Sequence, residues 1–192
     1  MIKKSLVYLV FEERSHTYLY QSREFLLLQR NSETILIWIY VWGPARVRTL
    51  KHAKYSLTLL DNATYWADSH LMVHKSNAFI KFVNHHTYIT TNFGVISKIL
   101  QCDRDRSFLS DKFHEYMSNN GIKYKLTVHD TLEHNRVAKC MHLTLSNGVH
   151  ILLITSRLPT WLWGYALMHA TFIYNNMFTV VKAQNQHIKL PF

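Results

Sequence analysis

The chain has 192 residues, of which 48% are hydrophobic and 18% are charged. This length allows one domain with a full hydrophobic core, and the composition excludes an intrinsically disordered chain. The formal net charge is +10. It favours a polyanionic partner, with nucleic acid ahead of an anionic membrane surface, although a basic protein without such a partner is an alternative. No Asp or Glu follows Glu133, so the last part of the chain carries only cationic charge.

Cysteine and histidine usage points to an intracellular protein without a structural zinc knuckle. Cys102 and Cys140 are too few for a disulfide framework, and the chain has no paired Cys/His spacing of the zinc-binding kind. His85-His86 is the only tight pair among 13 histidines, so histidine spacing does not predict a metal site. A reducing, intracellular compartment is expected. The uncharged segment 159–181 contains His, Asn, Thr and Tyr residues, which favour a buried helix over a membrane span.

Hydrophobic patterning divides the chain into three parts. Residues 1–33 show no clear period and are predicted to form a poorly defined N-terminal arm, while 34–178 form the domain and 179–192 a C-terminal tail. Apolar, β-branched runs predict strands at Ile35–Trp42, Tyr55–Leu60, Tyr65–Met72, Val95–Cys102 and Lys123–Val128. Helical spacing and caps predict helices from Ser76 to Gly94, over Ser110–Asn119, from Asn135 to about Thr155, and after Pro159 to about Met177.

The order of these elements predicts the fold class. The short polar turn Asp61-Asn62-Ala63 predicts an antiparallel hairpin between the second and third strands. The later, helix-separated strands favour parallel pairing, which gives an α/β protein with a mixed five-stranded sheet and helices on both faces. Functional groups gather beyond strand ends in such sheets. Asp103, at the end of the fourth strand, is therefore expected near the helix that starts at Asn135.

Short motifs stand in a fixed order along the chain: Val41-Trp-Gly-Pro44, Lys54–Asn62, Tyr65-Trp66, Phe113–Thr127, Asn135-Arg-Val-Ala138 and Leu158–Ala166. In order and spacing they resemble the integrase core of copia-type retrotransposons, from about Leu36 to Met177. The resemblance implies an RNase H-like fold, DNA or RNA as partner, and DNA integration in the nucleus. It also implies Mg²⁺ held by an Asp, Asp, Glu triad.

Carried over residue by residue, the resemblance implies a degenerate active site. Tyr40 stands where the family has its first aspartate, Asp103 matches the second, and Lys139 occupies the position of the glutamate. Mg²⁺ requires hard oxygen ligands, and an ammonium group repels a divalent ion. Glu133 lies before the predicted helix turn and is not expected to replace the missing carboxylate. We expect at most weak Mg²⁺ binding at Asp103 and no strand-transfer activity.

The resemblance also places polar and cationic side chains beside the degenerate site: Arg104, Arg106, Asn135 and Arg136. They are candidate contacts to nucleic acid, although a solvated loop explains the first two arginines equally well. Tyr40 and Trp42 could stack on bases, but a buried aromatic strand is the more common arrangement. Trp161 and Trp163 are predicted to pack the last helix onto the sheet.

Three alternative functions stay open at this point. One is an active metal-dependent nuclease or integrase with a rearranged metal site. Another is a non-enzymatic interaction module that uses the uncharged helix Trp161–Met177 as a homodimer face. The third is a membrane-attached protein anchored by that same segment. Substitutions scattered over turns, loops and the triad favour a remnant of a transposable element over a cellular protein that has kept the fold for binding.

Overall fold

The computed structural model describes residues 35–62, 65–94, 97–102, 108, 110–126 and 132–185. The strands are β1 (Ile35–Trp42), β2 (Tyr55–Asp61), β3 (Ala67–Met72), β4 (Ser97–Cys102) and β5 (Lys123–Leu126). The α-helices are α1 (Ala78–Phe93), α2 (Asp111–Asn119), α3 (Leu132–Thr155) and α4 (Trp163–Asn185), and 3-10 turns at Lys75–Asn77 and Thr160–Leu162 precede α1 and α4. The predicted arm 1–33, the loop 103–107 and residues 186–192 lie outside the described residues.

Strand β1 lies at the centre of a five-stranded sheet with the order β3-β2-β1-β4-β5. It pairs antiparallel with β2, which pairs antiparallel with β3, whereas β4 pairs parallel with β1 and β5 parallel with β4. The hairpin predicted between the second and third strands is present, with Leu60 paired to Ala67. The mixed sheet and the helices between its parallel strands confirm the predicted RNase H-like α/β fold class.

Both faces of the sheet are covered, because successive side chains of a strand point to opposite sides. Ile37 and Ile39 of β1 lie in one core cluster with Phe82 of α1 and Phe113 of α2. Trp38, which points the other way, lies in a second cluster formed with α3 and α4. The sheet therefore has an α1/α2 face and an α3/α4 face. Helices on both faces are what the sequence predicts, and the structure assigns each helix to its face.

Two predicted element starts on the α1 side are wrong. Ser76 does not cap α1, because it lies inside the 3-10 turn and Asn77 is the N-cap residue. Strand β3 begins at Ala67 rather than at Tyr65, since the φ angle of Tyr65 is 58° and falls outside the extended region. The predicted stop is confirmed, because Gly94 ends α1 in the left-handed conformation with a φ of 60°.

Helix α3 begins earlier than predicted and passes through its glycine without a break. It starts at Leu132 instead of Asn135, since the residues just before Asn135 include no Gly or Pro that would oppose a helix. The sequence predicts that Gly148 weakens the helix. A Cβ atom at Gly148 would instead lie 3.1 Å from the Cβ of Ala170 in α4. The glycine allows α3 and α4 to approach each other closely.

The uncharged segment 159–181 forms most of α4 and packs on the sheet. Trp163 is buried, its ring centroid lies 5.4 Å from that of Trp42, and its Nε1 donates a hydrogen bond of 2.9 Å to the carbonyl of Val47. Trp161 is half-buried in the preceding turn. Across the described parts of the chain, no helix combines the length and the apolar character that a membrane crossing needs.

Candidate functional site

The carboxyl end of β1 carries an aromatic cluster on the α3/α4 face. Tyr40 and Trp42 share the face of Trp38, because they follow it at spacings of two along the strand. The ring of Tyr40 lies against the imidazole of His142 in α3, with ring centroids 4.5 Å apart, and the ring of Trp42 lies 6.3 Å from the same imidazole. Trp42 also meets Trp163 edge-on. We call Tyr40, Trp42, His142 and Trp163 the aromatic cluster.

His142 is held as a neutral side chain within this cluster. It is half-buried, and burial lowers the pKa of its imidazole below the usual value of 6.5. Its Nε2 lies 3.3 Å from the hydroxyl of Ser146, one helical turn further along α3. The centre of the candidate site is therefore aromatic and uncharged at neutral pH.

Lys139 lies one turn before His142 on the same helix, and its side chain is exposed. Residues three apart on a helix are surface neighbours, so α3 presents Lys139 beside the aromatic cluster. The early start of α3 brings Glu133 into the helix, which the sequence analysis places outside it. Six residues correspond to a rotation of about 240° around the helix axis. The backbone of Glu133 therefore lies on a different side of the α3 axis from that of Lys139.

Of the positions predicted to form the degenerate triad, Tyr40 and Lys139 are described and Asp103 lies outside the described residues. A phenol that packs on an imidazole and an exposed ammonium group do not provide the carboxylate oxygens that Mg²⁺ prefers. These two residues do not fit the divalent ion that the resemblance implies. Arg104 and Arg106 also lie outside the described residues, and the backbones of Asn135 and Arg136 belong to α3 while their side chains are not described.

The connection between β1 and β2 carries exposed cations that the sequence analysis missed. Arg46 and Arg48 are exposed, and they come shortly after Trp42 of the aromatic cluster in the sequence. The connection is held on both sides of Arg48: the Val47 carbonyl accepts the indole hydrogen bond from Trp163, and the Thr49 hydroxyl accepts a 3.0 Å hydrogen bond from the amide of Ala53. The alternating cations after Trp-Gly-Pro were the available signal in the sequence.

A second polar cluster lies on the α1/α2 face, at the edge strand β3. Asp68 and His70 of β3 and His85 of α1 each place one potential ligand atom within 4.8 Å of the others. Asp68 Oδ2 lies 2.8 Å from His85 Nδ1 and 3.0 Å from His70 Nε2. Burial opposes ionisation of Asp68, but attraction by the two imidazoles holds its pKa well below the usual value. Histidine spacing in the sequence does not indicate this group, because Asp68 and His85 are 17 residues apart.

Comparison with known proteins relates the chain to a mobile element. No protein-family model matches it. Over 140 residues, or 73% of the chain, it is 30% identical to the retrovirus-related Pol polyprotein from transposon TNT 1-94 of Nicotiana tabacum. The chain is similar to one part of a retrotransposon polyprotein. It spans 10% of the length of that relative. The similarity therefore relates the RNase H-like domain to a Pol polyprotein, and it does not extend to the activities of the whole polyprotein.

Proposed function

We propose that the chain is an integrase-core-like domain of a retrotransposon that binds nucleic acid and has lost metal-dependent strand transfer. The RNase H-like sheet and the similarity to a Pol polyprotein support the integrase part of this proposal. The observation that carries the loss of catalysis is the packing of Tyr40 on His142 at 4.5 Å. A neutral aromatic pair occupies the place where the resemblance puts the first acidic ligand.

The electrostatics of α3 support the same conclusion. Two-metal phosphoryl transfer requires carboxylates that neutralise the metal charge. Lys139, one turn from His142, adds a positive charge where the resemblance puts the glutamate. Asp103 would then be the one carboxylate of the triad that remains. A single carboxylate beside an ammonium group does not hold Mg²⁺ tightly at physiological concentrations.

Nucleic-acid binding rests on the cationic surface. The net charge of +10 and the exposed Arg46 and Arg48 suit contacts to phosphates, which give affinity without base specificity. We propose Arg104, Arg106, Asn135 and Arg136 as further contacts to nucleic acid, as the resemblance implies. DNA in the nucleus is the expected partner.

The proposal is tested by DNA binding and by nuclease assays on the purified chain. We expect the logarithm of the DNA association constant to fall linearly with the logarithm of the salt concentration. The double variant Arg46→Ala/Arg48→Ala should reduce the magnitude of that slope by about 2. The double variant Lys112→Ala/Lys123→Ala removes the same amount of exposed charge elsewhere and serves as the matched control. Binding that does not change with salt would contradict the phosphate contacts.

Catalysis is tested separately from binding. We expect no nicking and no strand transfer with Mg²⁺ or Mn²⁺ under conditions in which DNA is bound. Metal-dependent nicking that disappears in Asp103→Asn would contradict the loss of catalysis and favour an active enzyme with a rearranged site. Nicking that persists in Asp103→Asn would indicate a contaminating nuclease.

A second candidate function, a protein-interaction module, is favoured by the apolar surface of α3. Leu143, Ile151 and Ile154 are 60%, 63% and 75% exposed, respectively, and exposed apolar patches mark interaction sites. The sequence predicts α4 as the dimer face, yet α4 buries Ala166, Leu167, Ala170 and Tyr174 in the second core cluster. Sedimentation velocity on Ile151→Glu/Ile154→Glu tests this function. A wild-type dimer that becomes a monomer in this variant would support it, and a monomeric wild type would exclude a homodimer formed through this surface.

A further inference from the structure

The Asp68–His70–His85 cluster is built by two elements that pack against each other on the α1/α2 face. Asp68 and His70 are two residues apart on β3 and therefore point to the same side of the sheet as Met72, which is buried among the residues of the first core cluster. His85 comes from α1, whose Ala78 and Phe82 are buried in that same cluster. The packing of α1 on β3 thus fixes the relative positions of the two histidines and the carboxylate.

The contacts within the cluster leave one ring nitrogen without an aligned partner. Asp68 Oδ2 forms a 2.8 Å hydrogen bond with Nδ1 of His85. Nε2 of His70 lies 3.0 Å from the same oxygen. That nitrogen is buried. Its contact with Asp68 is not aligned as a hydrogen bond, and no other described residue is aligned with it either. A buried ring nitrogen that lies this close to a carboxylate oxygen is in a position to share a metal ion with it.

The spacing of the three atoms suits a small divalent ion. Tetrahedral zinc sites have bonds of about 2.0–2.2 Å, which place neighbouring ligand atoms about 3.4 Å apart. The three atoms of the cluster lie within 4.8 Å of one another, with two separations of 2.8 and 3.0 Å. The two shorter separations are close to the tetrahedral spacing.

We propose that Asp68, His70 and His85 form a binding site for a first-row transition-metal dication of the Zn²⁺ class. Two imidazoles and one carboxylate are the ligand types that Zn²⁺ accepts, whereas Mg²⁺ and Ca²⁺ prefer oxygen ligands alone. Three protein ligands leave a fourth position for water. The side chains of His70 and Asp68 are 27% and 31% exposed, respectively, so the cluster is partly open to solvent although Nε2 of His70 is itself buried. The site joins the edge strand β3 to α1.

This site is separate from the aromatic cluster. Tyr40 points to the α3/α4 face, where it packs on His142. Asp68 and His70 lie on the opposite face of the sheet, as the burial of Met72 with α1 residues indicates. Metal binding at this site does not depend on the loss of the catalytic triad. The result of its test is therefore independent of the proposed function.

The first test is titration of the full chain with Zn²⁺ after treatment with EDTA, with a chromophoric chelator as competitor. We expect uptake of one equivalent that excess Mg²⁺ does not displace. Binding to the folded state alone stabilises it by RT ln(1 + c/Kd), where c is the free Zn²⁺ concentration, so the melting temperature should keep rising with the logarithm of c above Kd. Uptake that is weak and does not saturate at one equivalent would overturn the proposal, because scattered surface histidines bind in that way.

Variants locate the site. Asp68→Asn and His85→Gln are each expected to weaken Zn²⁺ binding by more than about 100-fold, since even partners outside the ligand set account for 10- to 100-fold. His150→Gln changes an exposed histidine on α3 and is the matched control, with unchanged affinity. Equal affinity in wild type, Asp68→Asn and His85→Gln would overturn the proposal, as would an equal loss in the control.

Substitution with Co²⁺ gives a readout that needs no variant. Wild-type protein with one equivalent of Co²⁺ is expected to show the intense visible bands of a four-coordinate ion with nitrogen and oxygen ligands. The pale spectrum of six-coordinate aqueous Co²⁺ would overturn the proposal. If circular dichroism shows that a ligand variant does not fold, His70→Gln takes its place and the Co²⁺ spectrum of the wild type decides.

Discussion

The ring of Tyr40 lies against the imidazole of His142, with ring centroids 4.5 Å apart and planes tilted by 38°. This contact joins the centre of the sheet to α3 at the carboxyl end of β1. It is made of two neutral side chains, since burial keeps His142 neutral at pH values where it would otherwise be partly protonated. The contact stabilises the fold at the position where the resemblance expects an acidic group to bind metal.

Truncation of Tyr40 is expected to destabilise the protein. Tyr40→Ala removes a half-buried ring that packs on His142, and we expect the free energy of unfolding to fall by about 2 kcal/mol. Tyr40→Phe keeps the ring and serves as the control, with a clearly smaller loss. Urea denaturation followed by tryptophan fluorescence measures both. Equal losses in the two variants would show that the ring contact is not the stabilising feature.

The lowered pKa of His142 predicts a pH dependence of stability. A histidine whose folded-state pKa is lowered binds fewer protons in the folded than in the unfolded chain, so stability falls as pH falls below the usual value of 6.5. His142→Phe keeps an aromatic ring beside Tyr40 and removes the titrating group. We expect the difference in unfolding free energy between wild type and variant to be constant above about pH 7.5 and to shift against the wild type towards about pH 5. Parallel curves would contradict the prediction.

Gly43 of the Trp-Gly-Pro motif cannot accept a side chain. Its φ angle is 123°, and an added Cβ would lie 2.6 Å from the carbonyl oxygen of Lys54 and 2.8 Å from the ring of Tyr55. We expect Gly43→Ala to cost at least about 3 kcal/mol. Gly94→Ala is the matched control, because its φ is also positive at 60° but the space around it is open, and it should cost about 1 kcal/mol. Chemical denaturation compares them, and similar losses would contradict the steric explanation.

Asn175 of α4 forms hydrogen bonds with the backbone of Ala67, the first residue of the edge strand β3. Its Oδ1 accepts a 2.9 Å hydrogen bond from the amide of Ala67, and its Nδ2 donates a 2.8 Å hydrogen bond to the carbonyl of the same residue. Asn175→Ala leaves both backbone groups of the buried Ala67 without this partner, at a cost of about 3 kcal/mol. Asn176→Ala, one residue further along and exposed, should change stability by less than about 0.5 kcal/mol. Thermal unfolding of both variants checks the difference, and equal effects would contradict the stabilising role of these hydrogen bonds.

The pattern of the sequence was sufficient for the architecture. Runs such as Ile35–Trp42 combine β-branched and aromatic residues between turn signals, and the observed β1 has those same bounds. Spacing at the helical period likewise predicted α2, which starts one residue after the predicted start at Ser110 and ends at Asn119 as predicted. The errors lay at ends where a local conformation decides, as at Tyr65 with its positive φ. The hydrophobic pattern predicts element type well because the backbone geometry sets a side-chain period of two in strands and 3.6 in helices.

By itself, the sequence determined the order of strands and helices, the two apolar faces of the sheet and the places of Tyr40 and Lys139 in the resembled motif. Only the tertiary structure decided which distant side chains meet. It brought His142 onto Tyr40, and it brought His70 and His85 onto Asp68. The physical reason is that hydrophobic periodicity selects an element and its buried face, whereas contacts between elements depend on their register, tilt and close packing. These quantities follow from the whole core at once, and a single chain segment does not contain them.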